Sequence, residues 1–450
     1  MLNTAPLSGV GKWPRVSWTS SAGTLRFACF LAWLVLLVRP LDVPDPFALG
    51  LSWSWTAVCL AVAAIVWLPE LLTGRWSFTA IDRMLGLYLA LVVLTSINTL
   101  DERVTRTAVL QLLGNVGVFY ATVVLARKDP RLSEGILLVL VASIALLVLM
   151  ALAYHAELGL LTRPAVYPVP EGWSGYPELS MLAVVQCGLL IAGLLSVSSR
   201  LMFPVTAALV LMNLVELVFL YSRSSWVTVG LIFAAAGVTA RRSQLARLLA
   251  TVAVVIVAGV VLFLANPTIR YLTARAISRD VAPVWAQSLA VTGVASSDMR
   301  IQVWRRTIRM ITDHPVRGVG LGNFQEVFES RYNTEINDDL RRGVHAHNLW
   351  LQQFAEVGLL GGALYLALWI RIVALCWRSA RTRPDFLSLG LLLSIVGIFG
   401  SNLTTNMFFL TGGASGRLQS LTWMLFGLAV TVPHRVVEPD HSSLVHGIRL

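Results

Sequence analysis

Two histidines, His345 and His347, precede a long apolar run and are candidates for proton transfer. A histidine with an unperturbed pKa of about 6.5 can accept a proton at neutral pH. Two histidines at this spacing can also bind a metal ion. However, no Asp, Glu or Cys cluster of recognisable ligand spacing lies nearby, so no metal site is predicted. The spacing alone does not distinguish a catalytic base from an ordinary pair of histidines at a membrane surface.

Two arginines, Arg223 and Arg300, are candidates for binding a diphosphate. Arg223 lies in a very short turn between two apolar runs, at or just below the membrane surface. An ionisable group at that depth is a functional candidate, although an arginine reaching up to lipid phosphates gives the same pattern. The planar guanidinium forms paired, charge-assisted hydrogen bonds with phosphate. Two arginines from different segments could therefore stabilise the charge that develops on a pyrophosphate leaving group.

Glu216 precedes Arg223 by seven residues, which places it two helical turns deeper on the same face. Asn213 lies one turn beyond Glu216. A Glu216–Arg223 pair, direct or through water, would fix the direction of the guanidinium. The same polar line would equally serve to join neighbouring helices.

The composition indicates the kind of protein that must position these residues. Of the 450 residues, 56% are hydrophobic and only 13% are charged. Repeated apolar runs near 20 residues long, each able to cross a hydrocarbon core of about 30 Å, predict a polytopic all-α membrane protein. All four cysteines fall inside these runs, so no disulfide framework is predicted. The net charge of +11 is attributed to membrane topology and anionic lipid, and not to nucleic acid.

Twelve transmembrane helices are predicted, the first of them a retained helix and not a cleaved signal. Their approximate limits are 25–42, 47–69, 83–99, 107–126, 135–154, 179–198, 202–221, 225–240, 246–265, 353–376, 386–407 and 416–433.

The basic residues in short loops predict the orientation of these helices. With the N-terminus inside, the short inner loops hold clearly more Lys and Arg than the short outer loops. The chain then divides into helices 1–9 in residues 1–265, an outer loop domain in 266–350, and helices 10–12 with an inner tail in 351–450. In a bacterium the outer loop faces the periplasm.

The long loop has two local patterns. Ile301, Trp304, Ile308 and Ile311 recur at helical spacing, which predicts a short amphipathic helix that packs on lipid or protein and holds Arg300 at its start. Further on, the segment 318–322 has alternating glycines. Because it follows no strand of a βαβ unit, nucleotide binding is not predicted. These glycines are expected to allow a tight turn or a close approach to another segment.

With these residues the sequence resembles the O-antigen ligase and polymerase family. Three pieces carry the resemblance, in order along residues 220 to 362: Ser222-Arg223-Ser224; then Arg300-x-x-x-Trp304 with Pro315-x-x-Gly318-x-Gly320-x-Gly322-Asn323-Phe324; and His347-Asn348 followed, after nine residues, by Gly358-x-x-Gly361. The third piece is the most specific, because it resembles the ligase pattern of that family.

The resemblance implies a metal-independent, inverting glycosyltransferase with no cofactor and an all-helical membrane fold similar to the GT-C class. It implies His347 as general base and Arg223 and Arg300 as ligands of the donor diphosphate, although another loop arginine such as Arg305, Arg306 or Arg317 could take the second phosphate role. His345 lies outside the ligase pattern; it, Glu216 and Asn348 are possible supporting residues. The implied donor is an undecaprenyl-diphosphate-linked glycan and the implied acceptor is lipid A–core. The site would then lie at the periplasmic face of a bacterial inner membrane.

The function expected from the resemblance is O-antigen ligation. A polymerase that uses the same donor remains open, since both reactions need the same arginines and base. A glycosidase is disfavoured because the loop shows no paired carboxylates of that type. A polysaccharide transporter is the alternative from another class. It is disfavoured because no two-fold repeat is visible and the long loop interrupts the chain after the ninth helix, not at its middle.

Overall fold

A computed structural model describes the chain in ten segments. They are residues 21–37, 51–74, 78–97, 99–157, 176–197, 202–219, 223–265, 300–333, 345–404 and 413–432. All regular secondary structure within these segments is helical.

The first ten helices precede the long loop. They are α1 (Ser21–Leu37), α2 (Leu51–Val66), α3 (Leu68–Leu72), α4 (Asp82–Thr95), α5 (Glu102–Lys128), α6 (Pro130–Glu157), α7 (Tyr176–Ser196), α8 (Met202–Phe219), α9 (Arg223–Thr239) and α10 (Arg242–Ala265).

The remaining helices belong to the loop and to the C-terminal part. They are α11 (300–313), α12 (Phe324–Val327) with a π-helical turn at Phe328–Tyr332, α13 (Leu349–Thr382), α14 (Phe386–Ser401) and α15 (Gly413–Thr431).

Six of the described helices are long and apolar enough to cross a membrane, and four more are apolar but shorter. The protein is therefore a polytopic helical membrane protein, as its composition predicts. Each of the twelve predicted spans overlaps one of the described helices. The number of actual crossings and the division into three regions remain predictions.

Several helix starts are fixed by side chains that accept hydrogen bonds from free backbone amides. The Asp101 carboxylate accepts from the amides of Arg103 and Val104 at the start of α5, at 2.8 and 3.1 Å. Asp385 accepts from the Ser388 amide at the start of α14, at 2.8 Å. Such caps satisfy amides that have no partner within their own helix.

The bundle core is apolar, with small residues where two backbones meet. A methyl group added at Gly188 of α7 would lie 2.6 Å from the Ser394 amide nitrogen of α14, and one at Gly427 of α15 would lie 2.7 Å from the Phe119 carbonyl oxygen of α5. Such close approach lets helices pack in the absence of a hydrophobic drive between them in lipid. A buried polar group joins α2, α5 and α15 where the Ser420 hydroxyl donates to Asn115 Oδ1 and accepts from Trp55 Nε1.

The described part of the long loop has a small apolar core of its own. Its members include Val303, Met310, Phe324 and Ala346. The predicted helix is present as α11, but the residues of its predicted apolar stripe are not all buried. Ile301 and Ile308 are 46% and 51% exposed, because the side of α11 that packs on the loop core carries Val303 and Met310. The exposed isoleucines therefore remain available for contact with lipid.

Candidate functional site

The segment 345–348 is held in place from two directions. On one side, Trp304 Nε1 of α11 donates to the carbonyl oxygen of Ala346 at 2.7 Å, and Ala346 is fully buried. On the other side, Asn348 Nδ2 donates to the Leu403 carbonyl at 2.9 Å. The Asn348 side chain also caps α13, where it accepts from the Leu351 amide at 3.0 Å. Asn348 thus fixes the residue that precedes it.

His347 has φ of 48°, in the left-handed region that residues other than glycine rarely adopt. A non-glycine residue in such a conformation is retained only where the surrounding contacts enforce it, and these positions often occur at functional sites. The rings of His345 and His347 lie 6.4 Å apart, at 70° to each other. The two imidazoles are therefore neighbours, outside hydrogen-bonding distance as judged from their ring centres.

The surroundings of His347 keep its imidazole neutral at neutral pH. Burial lowers the pKa of His347 to about 4, and the positive charge of Arg300 and the neighbouring His345 lower this pKa in the same direction. Burial also lowers the pKa of His345 to about 4, while Glu329 acts in the opposite direction. Arg300 thus lies close enough to His347 to act on its proton affinity. The tertiary structure brings together two residues that stand 47 positions apart in the chain.

Arg223 and Glu216 are only partly placed. Arg223 is the first residue of α9, and its side chain lies outside the described residues, as does the predicted Glu216–Arg223 pair. Glu216 is fully buried in α8. One turn deeper, Asn213 Nδ2 donates to Gln186 Oε1 of α7 at 2.6 Å, so at least this member of the polar line joins two helices.

The glycine-rich segment of the loop pairs with a break in α13. At Gly358, with φ of 73° and ψ of 178°, the helical conformation is interrupted. The amides of Val319 and Gly320 donate to the carbonyls of Ala355 and Glu356, both at 2.9 Å, and the Leu359 amide donates to the Pro315 carbonyl at 2.8 Å. We call this contact between residues 315–322 and the break at Gly358 the glycine junction.

Two glycines make the glycine junction possible. Gly318 and Gly358 both have positive φ. A methyl group at Gly318 would overlap the carbonyl of Glu356, and one at Gly358 would overlap the carbonyl of Val316. The prediction that the loop glycines allow close approach to another segment is confirmed. The structure also explains the nine residues between His347-Asn348 and Gly358. They form a short helix that runs from the Asn348 cap to the break at Gly358.

Asn323 ties the glycine junction to the start of α5. Its Nδ2 donates to Thr105 Oγ1 at 2.5 Å, and its Oδ1 accepts from the Asp101 amide at 3.1 Å. Asn323 therefore joins the loop to the start of α5.

Glu356 is a buried acidic residue that was not selected from the sequence. Its carboxylate accepts from Gln352 Nε2 at 2.8 Å, and the residue is 1% exposed. The backbone amides of Gly322 and Phe324 also lie near it. The signal was available, because an acidic residue within an apolar run is a functional candidate by default. Glu356 stands where the loop, α13 and its break meet.

Within the described residues, no three His, Cys, Asp or Glu side chains come together in a way that could hold a metal ion. Among the described residues, the site thus consists of the neutral imidazoles of His345 and His347, with the guanidinium of Arg300 close enough to act on His347. The buried carboxylate of Glu356 lies further along α13. This arrangement can accept a proton at His347 and hold an anion at Arg300.

Fold and site together define a polytopic helical membrane protein that holds a histidine–arginine site beside one end of its bundle. Residues 207–366 match the family model described as O-antigen ligase, and this part of the chain contains Arg223, Arg300 and His347. The chain carries that family's domain over those residues, which confirms the resemblance. Members of the family are glycan-transferring enzymes that act on lipid-linked glycans. A comparison with curated proteins found no match.

Proposed function

We propose that the protein is an O-antigen ligase that transfers preassembled O-polysaccharide from undecaprenyl diphosphate to a sugar hydroxyl of lipid A–core. The observation that carries the proposal is a neutral, backbone-constrained His347 close to the positive charge of Arg300. A base and a cation at one place are what attack by a hydroxyl and departure of a diphosphate require. The site would face the periplasm in a bacterial inner membrane.

The reaction follows from these roles. His347 removes the proton from the acceptor hydroxyl as its oxygen attacks the anomeric carbon of the donor sugar. A new glycosidic bond forms, and the bond from that carbon to the diphosphate oxygen breaks. Undecaprenyl diphosphate leaves with the electron pair, and Arg300 together with Arg223 stabilises its charge. Because attack and departure occur on opposite faces of the sugar, the configuration at the anomeric carbon inverts. No metal ion and no nucleotide takes part.

Donor binding also activates the base. In the free protein burial, and after it the charge of Arg300, lowers the pKa of His347, so the imidazole is a weak proton acceptor. A donor diphosphate bound at Arg300 brings negative charge next to both residues. Opposite charge nearby favours the protonated form, so the pKa of His347 rises when the donor is in place. The base becomes effective only when there is a sugar to transfer.

The proposal is tested with the purified protein and its His347→Ala variant in a buffer that contains a chelator. Each reaction receives the undecaprenyl-diphosphate glycan, with or without lipid A–core. We expect product on lipid A–core from the wild type and a loss of roughly 10²- to 10⁴-fold in the variant, the usual contribution of a general base. His345→Ala serves as the matched control, because it removes a neighbouring histidine of similar burial. This variant should lose much less activity than His347→Ala.

Other outcomes would assign other functions. Longer glycan that stays on undecaprenyl diphosphate would make the protein a polymerase with the same donor. A His347→Ala variant as active as the wild type would remove His347 as the base. Activity that disappears with the chelator and returns with a divalent cation would overturn the metal-free mechanism. Absence of transfer by the wild type, with glycan movement across vesicles, would indicate a transporter.

A further inference from the structure

A second basic site lies at the other end of α11 from Arg300. An open cleft of about 210 Å³ is formed between the α4–α5 connection, the glycine junction and the π-helical turn that follows α12. Its basic residues are His314, Arg317 and Arg331. Among the described residues that line it there is no Asp or Glu. We call it the basic cleft.

The chemistry of the basic cleft suits an anionic group on an amphiphilic molecule. Arg317 and Arg331 are both exposed, so their guanidinium groups are accessible to a ligand and carry two positive charges. Thr95 and Thr99 also line the cleft. Guanidinium groups bind phosphate through paired, charge-assisted hydrogen bonds. A phosphate group is therefore the ligand chemistry that these residues recognise best.

Apolar residues at the cleft point to a lipid-linked phosphate. Ile97 and Leu100, which line the cleft, are 54% and 55% exposed, and Val316 beside Arg317 is 80% exposed. Thr95 is the last residue of α4, so these residues lie in the connection that follows this helix. Exposed apolar side chains next to arginines are typical of a surface that receives both the apolar and the phosphate part of a lipid.

The two basic sites are too far apart to bind the same diphosphate group. Arg300 starts the described part of α11 and His314 follows its end, so the sites lie roughly 20 Å apart along a helix that rises 1.5 Å per residue. The diphosphate of a donor at Arg300 does not span that distance. A phosphorylated glycolipid acceptor does, because its phosphates lie near its lipid while the sugar that accepts the glycan lies several sugars away.

We propose that the basic cleft binds the lipid-proximal phosphate groups of the acceptor glycolipid and so directs the acceptor's terminal sugar to His347. Naming this ligand as acceptor rests on the proposed function; the binding of a phosphorylated glycolipid does not. Arg317 and Arg331 are then residues that determine acceptor affinity, and not residues of the chemical step.

The test measures binding and transfer separately, with the full chain in detergent micelles. The double variant Arg317→Gln/Arg331→Gln removes the two charges of the cleft. Arg305→Gln/Arg309→Gln removes two exposed charges from α11 that do not line it. We expect the cleft variant to bind lipid A–core roughly tenfold or more weakly, in line with the loss of charge-assisted hydrogen bonds. The control variant should bind as the wild type does.

Phosphatase-treated lipid A–core identifies the group that is recognised. The wild type should bind this probe as weakly as the cleft variant binds the intact lipid, and the cleft variant should show no further loss. In transfer assays, the cleft variant should have a raised KM for lipid A–core, with kcat and the KM for the donor nearly unchanged.

Three results would overturn the proposal. One is equal binding of intact lipid A–core by the wild type and the cleft variant. Another is a loss in the cleft variant that persists with the phosphatase-treated lipid, since this would indicate a structural role. The third is competition by phosphatidylglycerol vesicles as strong as by lipid A–core, which would assign the cleft to membrane headgroups in general. If the wild type binds lipid A–core through the cleft but transfers nothing, the proposed ligase function fails while phosphate recognition stands.

Discussion

Two regions of this protein bring backbones into close contact, and they do so by different means. In the bundle, Gly188 and Gly427 keep helical conformations, so their contacts require only a small residue. At the glycine junction, Gly318 and Gly358 must be small and must also adopt positive φ. The bundle contact is therefore set by size alone, whereas the loop contact is set by size and backbone conformation together.

This difference matters because the glycine junction adjoins the residues that carry the chemistry. It pairs the loop with the short helix that starts at the Asn348 cap, one residue after His347. A disturbed bundle contact should reduce stability throughout the fold. A disturbed junction should instead misplace the loop and with it the relation between Arg300 and His347.

Among changes to the backbone contacts, the largest effect is expected from Gly358→Ala. The added methyl group would overlap the Val316 carbonyl while the residue is held at an unfavourable φ, so the junction hydrogen bonds should be lost. We expect glycan transfer to fall by at least roughly 10²-fold, because a displacement of about 1 Å at a catalytic site can cost that much. Initial rates at saturating substrates are the measurement.

Two control variants divide this effect into its parts. Gly74→Ala has the same backbone problem, at φ of 67°, but no atom within 4 Å, and should cost about 1–2 kcal/mol locally without loss of transfer. Gly427→Ala introduces a close contact in the bundle at ordinary φ and should lower the thermal midpoint in detergent more than it lowers the rate. The proposed difference between the junction contact and the bundle contact is contradicted if Gly358→Ala transfers glycan as fast as the wild type.

An intermediate effect is expected for Arg300→Gln, read from the pH dependence of kcat/KM. The base must be unprotonated, so activity is present above the His347 pKa and is lost as the pH falls through it. We call this loss of activity at low pH the acid limb of the profile. In the wild type the acid limb should lie near pH 4, because burial and Arg300 hold the pKa of His347 there. Removal of the positive charge raises the pKa of His347, so the limb should move to higher pH.

The position of the limb is the informative quantity, because Arg300→Gln also weakens donor binding and lowers the rate. Arg305→Gln removes an exposed charge of the same helix and should leave the limb in place. A limb at the wild-type position in Arg300→Gln would mean that Arg300 does not act on the base.

The smallest effect is expected from Ser420→Ala in the bundle. The change removes the acceptor of Trp55 Nε1 and the donor to Asn115 Oδ1, and should cost about 1 kcal/mol. The thermal midpoint should fall slightly while transfer stays unchanged. Ser388→Ala is the matched control, since the buried Ser388 hydroxyl has no hydrogen-bond partner in the described part of the chain. Equal losses from both serines would contradict the role of the Ser420 network.

Much of the fold could be predicted from the sequence. Apolar runs of membrane-spanning length are local features, and each predicted run overlaps a described helix. The α11 helix was predicted from its periodicity, but its buried face was not. Ile301 and Ile308 continue the apolar spacing as well as Val303 and Met310 do, and only the position of the loop core decides which face is covered.

Some features of the site could likewise be predicted from the sequence, and others could not. His347, Arg300 and Asn348 were selected from residue type and spacing, and the structure places Arg300 close to His347 while it makes Asn348 a helix cap. Glu356 was overlooked although an acidic residue within an apolar run is visible in the sequence; only the burial of its carboxylate depends on where the loop meets α13. The basic cleft was not predictable, because its walls come from residues more than 200 positions apart.

By itself, the sequence determined that the chain crosses a membrane as helices and which residue types could transfer a proton or hold a diphosphate. Both follow from the local chemistry of side chains and from the length of apolar runs. Only the tertiary structure decided which of the many arginines lies close enough to His347 to act on its pKa. That choice depends on contacts between distant segments, such as Trp304 with Ala346 and Val319 with Ala355, which no local pattern encodes.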